Sequence, residues 1–186
     1  MNTSLSIHEV ARRIQPHIHR TPVLTSTQID RLAGASLFFK CENFQRMGAF
    51  KMRGATNAIL QLSPQQQQKG VLTHSSGNFA QALSLAARNL GVPAYIVMPQ
   101  NAPAVKKAAV EGYGGIITQC ESTLAARQEM ARNVQNQTGA TFIHSSNDPQ
   151  VIRGQGTAAL ELLEDHPELR AIVVPVGGGG LIGGTA

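Results

Sequence analysis

VLTHSSGNFAQALSLAARNLGVPAYIVMP, residues 71–99, decides the fold. VLTHSS is a short apolar run that ends in hydroxyls. FAQALSLAARNL then repeats apolar residues at helical spacing until Gly91, where a glycine commonly stops a helix. AYIVMP is a second apolar run of strand length. Strand, turn, helix and strand in that order make a βαβ unit, with both strands parallel in one sheet.

The rhythm repeats toward the C-terminus. APAVKKAAVEGY (102–113) predicts a helix, GIITQC (115–120) a strand, STLAARQEMARNVQNQTG (122–139) a helix and TFIHSS (141–146) a strand. NDPQVIRGQG (147–156) leads into a helix over TAALELLEDH (157–166), and AIVVPV (171–176) predicts a last strand running into four glycines. In the other direction, PQQQQK (64–69) reads as a solvated low-complexity loop. TPVLTST (21–27) and LFFKCE (37–42) read as two extended pieces of another sheet region. The expected class is α/β, with a parallel sheet covered by helices on both faces. Ligands in such sheets gather at the C-terminal ends of the strands. Three of these ends are chemically distinctive: SSGN (75–78), SSND (145–148) and GGGG (177–180).

Bulk properties narrow the function classes. The chain has 186 residues, 42 % hydrophobic and 15 % charged, which suits a folded globular protein. Its net charge of +5 invites a nucleic-acid reading. However, the cations are scattered, and with six phenylalanines, two tyrosines and no tryptophan there is little to stack on bases. Nucleic acid is therefore not an expected partner. The start lacks a signal-peptide core and no run reaches membrane-span length, so no membrane is expected. Cys41 and Cys120 form no CxxC pair, which fits a reducing cytoplasm and no metal site within the chain.

The glycines carry the first chemical reading. Side-chain-free residues let amide N–H groups close around an anion, and a helix beginning near Leu181 would add its positive end. No GK[ST] follows, so this is not a nucleoside-triphosphate loop. Gly178, Gly180 and Gly183 do satisfy GxGxxG, so the glycines alone leave a dinucleotide and another phosphorylated cofactor both open. Lys51, in GAFKMRGA, opens a helix with an apolar stripe of Met52, Ala55, Ile59 and Leu62. The helix dipole, desolvation by Phe50 and Met52, and the nearby charge of Arg53 would each favour its neutral form. A lysine near its usual pKa of about 10.4 is a poor nucleophile at neutral pH, whereas one so depressed can form an imine. Taken alone, Lys51 reads first as an ordinary surface lysine beginning a helix. Ser75, Ser76, Gly77 and Asn78 sit between strand and helix, either as caps or as binders of a carboxylate.

AFKMRGA, HSSGNFAQA and VPVGGGGLIGG, in this order and spacing, resemble the pyridoxal-phosphate enzymes of fold type II. The serine/threonine dehydratase and serine racemase branch is the most similar. The likeness runs from TPVLTS to the last residue and includes LFFKCE, GVPAYIVMPQNAP and VIRGQGTAALEL. It implies two domains: a small mobile one over 46–145, and a large one from 1–45 and 146–186. It also implies that Lys51 holds pyridoxal 5'-phosphate as a Schiff base and exchanges protons at Cα. Phe50 and Asn78 would meet the cofactor ring, and Gly177, Gly178, Gly179, Gly180 and the Leu181 amide its phosphate. Ser76 matches the second acid/base of the racemases. Ser75, Gly77, Gln81 and Arg127 fall on the side of a small amino-acid substrate. The implied reaction is dehydration of L-serine or L-threonine to a 2-oxo acid and ammonia, with racemisation as the alternative.

Nucleotide-regulated relatives bind ATP where this chain has Ser26, Thr27, Arg46, Gln81 and Tyr113, while Gln28 and Met47 depart from their set. A further departure is Phe79, where the family usually has histidine. Family members continue past the tetraglycine loop, into the residue facing the pyridine nitrogen and the acidic groups of a divalent-cation site. The chain is accordingly expected to be a truncated piece of a longer protein that works as a homodimer. Two readings compete with this one: a nucleotide-binding Rossmann domain and a non-catalytic fragment.

Overall fold

The structure, a computed structural model, describes residues 6–186. Helix α1 (Ile7–Ile14) begins at a capping box in which Ser6 and Glu9 satisfy each other's backbone amides. Strands β1 (Val23–Leu24) and β2 (Phe39–Lys40) flank helix α2 (Thr27–Ala33) and pair antiparallel. They are the expected second sheet region, reduced to two residues each.

Helix α3 (Lys51–Leu60) follows, then α4 (Pro64–Lys69), β3 (Val71–His74), α5 (Asn78–Asn89), β4 (Ala94–Pro99) and α6 (Ala104–Gly112). After these come β5 (Ile116–Cys120), α7 (Leu124–Thr138), β6 (Thr141–Phe142), α8 (Pro149–Asp165) and α9 (Gly180–Thr185). The main sheet has the order β5-β4-β3-β6 and every pair is parallel. The α/β class is as expected. One core holds Val71, Ile96 and Met98 of the sheet against Ala80, Leu83 and Ala87 of α5 and Met52, Ala55 and Ile59 of α3. On the sheet's other face, Leu72 and Val97 pack against Ala131 and Val134 of α7.

Three expectations fail for local reasons. PQQQQK is a helix and not a loop: Ser63 caps it, Gln66 completes a capping box, Pro64 occupies its first turn and Gly70 ends it. Segment 171–176 is not a strand; among the described residues no neighbour accepts its ladder hydrogen bonds, and Val173 stands 95 % exposed. NDPQVIRGQG does not merely lead into a helix. Asp148 caps Gln150 and Val151, and the helix runs unbroken from Pro149.

Helix α3 also departs from a one-sided stripe, because every residue from Met52 to Ile59 is buried. It crosses α8 glycine on glycine: a Cβ on Gly154 would come within 2.6 Å of the Gly54 Cα. That close approach fixes the first turn of α3, and with it Lys51, against the body of the chain.

Candidate active site

Lys51 begins α3 directly after a tight turn over Arg46–Gly48, where Met47 lies in the left-handed region at φ 57°. A non-glycine residue there costs about 1 kcal/mol or more, and such strain tends to cluster near functional sites. The lysine is half-buried. Its Nζ donates to the Ser145 carbonyl at 2.8 Å. The Phe50 ring centroid is 5.0 Å from Nζ and that of Phe79 is 5.9 Å. Burial lowers the pKa of the amine below its ordinary value.

Arg53 contributes nothing to that shift, contrary to the sequence expectation. It is fully buried and points away into an ion network. Its guanidinium donates to both oxygens of Glu42 at 2.7 and 2.8 Å and both oxygens of Glu161 at 2.7 and 2.8 Å. Lys40 adds a second cation 2.7 Å from Glu161. Two carboxylates thus match two cations, and their charge is spent within the core. Arg53 was legible as a charge, but its partners lie 11 and 108 residues away.

The SSGN turn lies at the C-terminal end of β3. The Ser75 amide donates to the Val97 carbonyl, and the Gly77 amide turns back to Ser75 Oγ. The Ser76 side chain makes no hydrogen bond among the described residues and is partly exposed. Asn78 opens α5 with its side chain exposed, and Phe79 beside it turns inward to Lys51.

The glycine loop reaches the same place by another route. Gly178 and Gly180 lie against Ser146: a Cβ on Gly178 would come within 2.5 Å of Ser146 Oγ, and one on Gly180 within 3.0 Å of Ser146 Cα. Neighbouring residues Ser145 and Ser146 therefore join the Lys51 amine to the glycines. Gly179 takes φ +85°, open to glycine, and a Cβ on Gly177 or Gly179 would meet nothing within 4 Å. The amides of Gly177, Gly178 and Gly179 donate to no group among the described residues. The Leu181 amide lies in the first turn of α9, where no intrahelical partner exists. Sequence reading marked SSND as distinctive but gave it no role; its contribution is a backbone carbonyl, which has no side-chain signature.

The remaining candidates lie further off. Arg127, on α7, donates to its own turn at Thr123. His74, at the end of β3, has its pKa lowered, first by burial, with Arg127 and His144 adding to the effect. Ser26 spends its hydroxyl capping Ile29, and Thr27 opens α2. Tyr113 lies under Arg88, 5.7 Å from ring centroid to guanidinium. Gln81 is partly buried on α5. Arg46 keeps its buried Nε without a partner among the described residues. No hydrogen bond joins any two of Ser26, Thr27, Arg46, Gln81 and Tyr113 among the described residues. Among the described residues no three His, Cys, Asp or Glu side chains cluster as a metal would require. Among the described residues no helix is long and apolar enough to cross a membrane.

A half-buried amine joined through Ser145–Ser146 to a loop of amides without partners among the described residues fits a cofactor that carries both an aldehyde and a phosphate. Comparison with known proteins agrees. The family model for the pyridoxal-phosphate dependent enzymes matches residues 14–186. A β-hydroxyaspartate dehydratase of Paracoccus denitrificans is 55 % identical over 97 % of this chain and 56 % of its own length. A serine racemase of Arabidopsis thaliana is 57 % identical over 98 % of this chain and 55 % of its own. The solved structure of maize serine racemase superimposes with a TM-score of 0.95 at 53 % identity, over 97 % of this chain and 55 % of the other. The chain thus spans about half the length of the relatives it matches.

Proposed function

This chain belongs to the pyridoxal-phosphate-dependent enzymes, and on that premise we propose that it dehydrates a small β-hydroxy amino acid, L-serine or L-threonine first, to a 2-oxo acid and ammonia. The observation that carries this reading is the placement of the Lys51 amine, half-buried near the Phe50 and Phe79 rings and tied through Ser145–Ser146 to the glycine loop. The family spans dehydratases and racemases. Competing nucleotide chemistry has no such use for a desolvated amine.

Pyridoxal phosphate, when bound, supplies the sink for the electrons of the bond broken at Cα. Every other part belongs to the chain. Amides of Gly177–Gly180 and Leu181 would hold the phosphate, with Phe50 against the ring and Asn78 donating to its hydroxyl. Lys51 would anchor the cofactor covalently until substrate displaces it. The freed neutral amine then takes the Cα proton. In elimination the Cβ–O bond would break, the hydroxyl would leave as water with the proton that Lys51 took from Cα, and a water molecule would then release the nitrogen as ammonia. Ser75, Gly77 and Gln81 would line the substrate side, with Arg127 near its carboxylate.

Racemisation is the second reading, favoured by the Ser76 hydroxyl, which is free of hydrogen bonds among the described residues. There Ser76 would return a proton to Cα from the face opposite Lys51. The two outcomes share one deprotonation, and a barrier difference of about 1.4 kcal/mol alters their ratio tenfold. The test is to give the full-length protein L-serine, L-threonine and β-hydroxyaspartate, and to assay 2-oxo acid and D-amino acid together. Ser76→Ala is expected to cut D-serine formation about 100-fold or more, the scale of a lost general acid, while pyruvate formation falls far less. Equal loss of both products would remove Ser76 from this role. With the proposal go a cytoplasmic homodimer, a small domain over 46–145 and responses to ATP and a divalent cation.

A further inference from the structure

Phe79 stands beside Asn78 in the SSGN turn, yet its side chain is 2 % exposed and its ring centroid lies 5.9 Å from Lys51 Nζ. The Phe50 ring centroid lies 5.0 Å from the same nitrogen, and the amine's one hydrogen bond among the described residues goes to the Ser145 carbonyl. We propose that Phe79 is a positioning residue for Lys51, a wall that keeps water off the amine and so sets the pH at which it becomes nucleophilic. This rests on the reading of Lys51 as the reacting amine.

Two effects of a phenyl wall oppose each other. The ring face attracts an ammonium, by about 0.5–1 kcal/mol at close range and less near the 6 Å limit. The same ring displaces water, which disfavours the ammonium. At 5.9 Å the ring lies near the limit of that attraction, while burial lowers the pKa of the amine.

Charges on the surrounding elements do not compete with this effect. Arg46 lies in the preceding turn, His74 ends β3, and His144 and Asp148 flank the Ser145–Ser146 step. Arg153 and Glu161 lie on α8, where Glu161 is committed to Arg53 and Lys40. Burial is the cause that shifts the amine. Lys51 is therefore tuned by shape and not by a charged neighbour. A polar residue at position 79 would loosen that control.

The experiment uses full-length protein stripped of cofactor, labelled at a range of pH with trace formaldehyde and cyanoborohydride. Mass spectrometry of the peptide containing Lys51 reads the labelling midpoint. Phe79→Gln is expected to raise the midpoint by at least about half a pH unit, making labelling near neutral pH roughly threefold slower. Phe79→Leu, apolar but without the ring quadrupole, is expected to keep the midpoint or lower it slightly. A folded Phe79→Gln with the wild-type midpoint, or Phe79→Leu shifting as far as Phe79→Gln, would overturn the proposal. If Phe79→Gln does not fold, Phe79→His is read above about pH 8, where its imidazole is neutral, with the same two outcomes. Labelling requires no bound cofactor, so a shifted midpoint in a protein without a cofactor band would separate this inference from the proposed function.

Discussion

Lys51→Ala is expected to abolish both products from L-serine, lowering turnover on the order of 10³-fold or more. A general base alone accounts for roughly 10²–10⁴, and here the same side chain would also anchor the cofactor. The loss should come without unfolding. Lys51 opens α3, is half-buried, and has one polar partner among the described residues, the Ser145 carbonyl. Freeing that carbonyl costs about 1 kcal/mol, a shift of a few degrees in Tm. Steady-state assays beside a thermal melt check the pair of outcomes. A variant that keeps a tenth of wild-type turnover would remove Lys51 from the chemistry, whatever its stability.

Glu161→Ala is expected to act oppositely, on stability first. Its carboxylate pairs with Arg53, which is fully buried, and with Lys40, whose side chain is 8 % exposed. Truncation leaves two cations in the core facing Glu42 alone, and breaking a buried pair from one side costs about 3–5 kcal/mol. Glu164→Ala is the matched control. That carboxylate is 43 % exposed on an Arg20 that is 51 % exposed, and such surface pairs contribute about 0–1 kcal/mol. Urea unfolding of the three proteins should separate the two magnitudes clearly.

The pH dependence follows from the direction of the Glu161 shift. Burial pushes its carboxyl up, but the hydrogen bonds and charge of Arg53, then Lys40, outweigh that and hold it below its ordinary 4.5. A carboxyl lowered by folding contributes stability that is complete above the unfolded value and is lost as pH falls through the folded one. The gap between wild type and Glu161→Ala should therefore be widest near neutral pH and narrow in acid. A gap constant from pH 7 to pH 3 would contradict the network as the cause.

How much of this was legible depends on how far each signal travels along the chain. Strands β3, β4 and β5 and helix α5 are written in local periodicity and punctuated by Gly91, so they appear where the sequence places them. The glycines were readable because four in a row follow an apolar run, whereas Lys51 alone reads as a surface lysine and gains its role only through the family resemblance of AFKMRGA with the other motifs. What joins them was not, since the bridge is the Ser145 carbonyl and the packing of Ser146 under Gly178. Arg53 was misread because its carboxylates come from distant segments. Helix α4 is a different failure: Ser63, Pro64, Gln66 and Gly70 spelled out its caps, but a run of glutamines drew attention to composition instead. Segment 171–176 is apolar enough for a strand, but no neighbour among the described residues lies beside it to make one.

Everything chemical in this account passes through one nitrogen. The most direct measurement is to load the full-length protein with pyridoxal phosphate, reduce it with borohydride, digest it and locate the added mass. A visible absorption band that bleaches on reduction is expected, with the pyridoxyl group fixed on Lys51. A protein that gains no band, or that carries the reduced cofactor on another lysine such as Lys40 or Lys69, would contradict it.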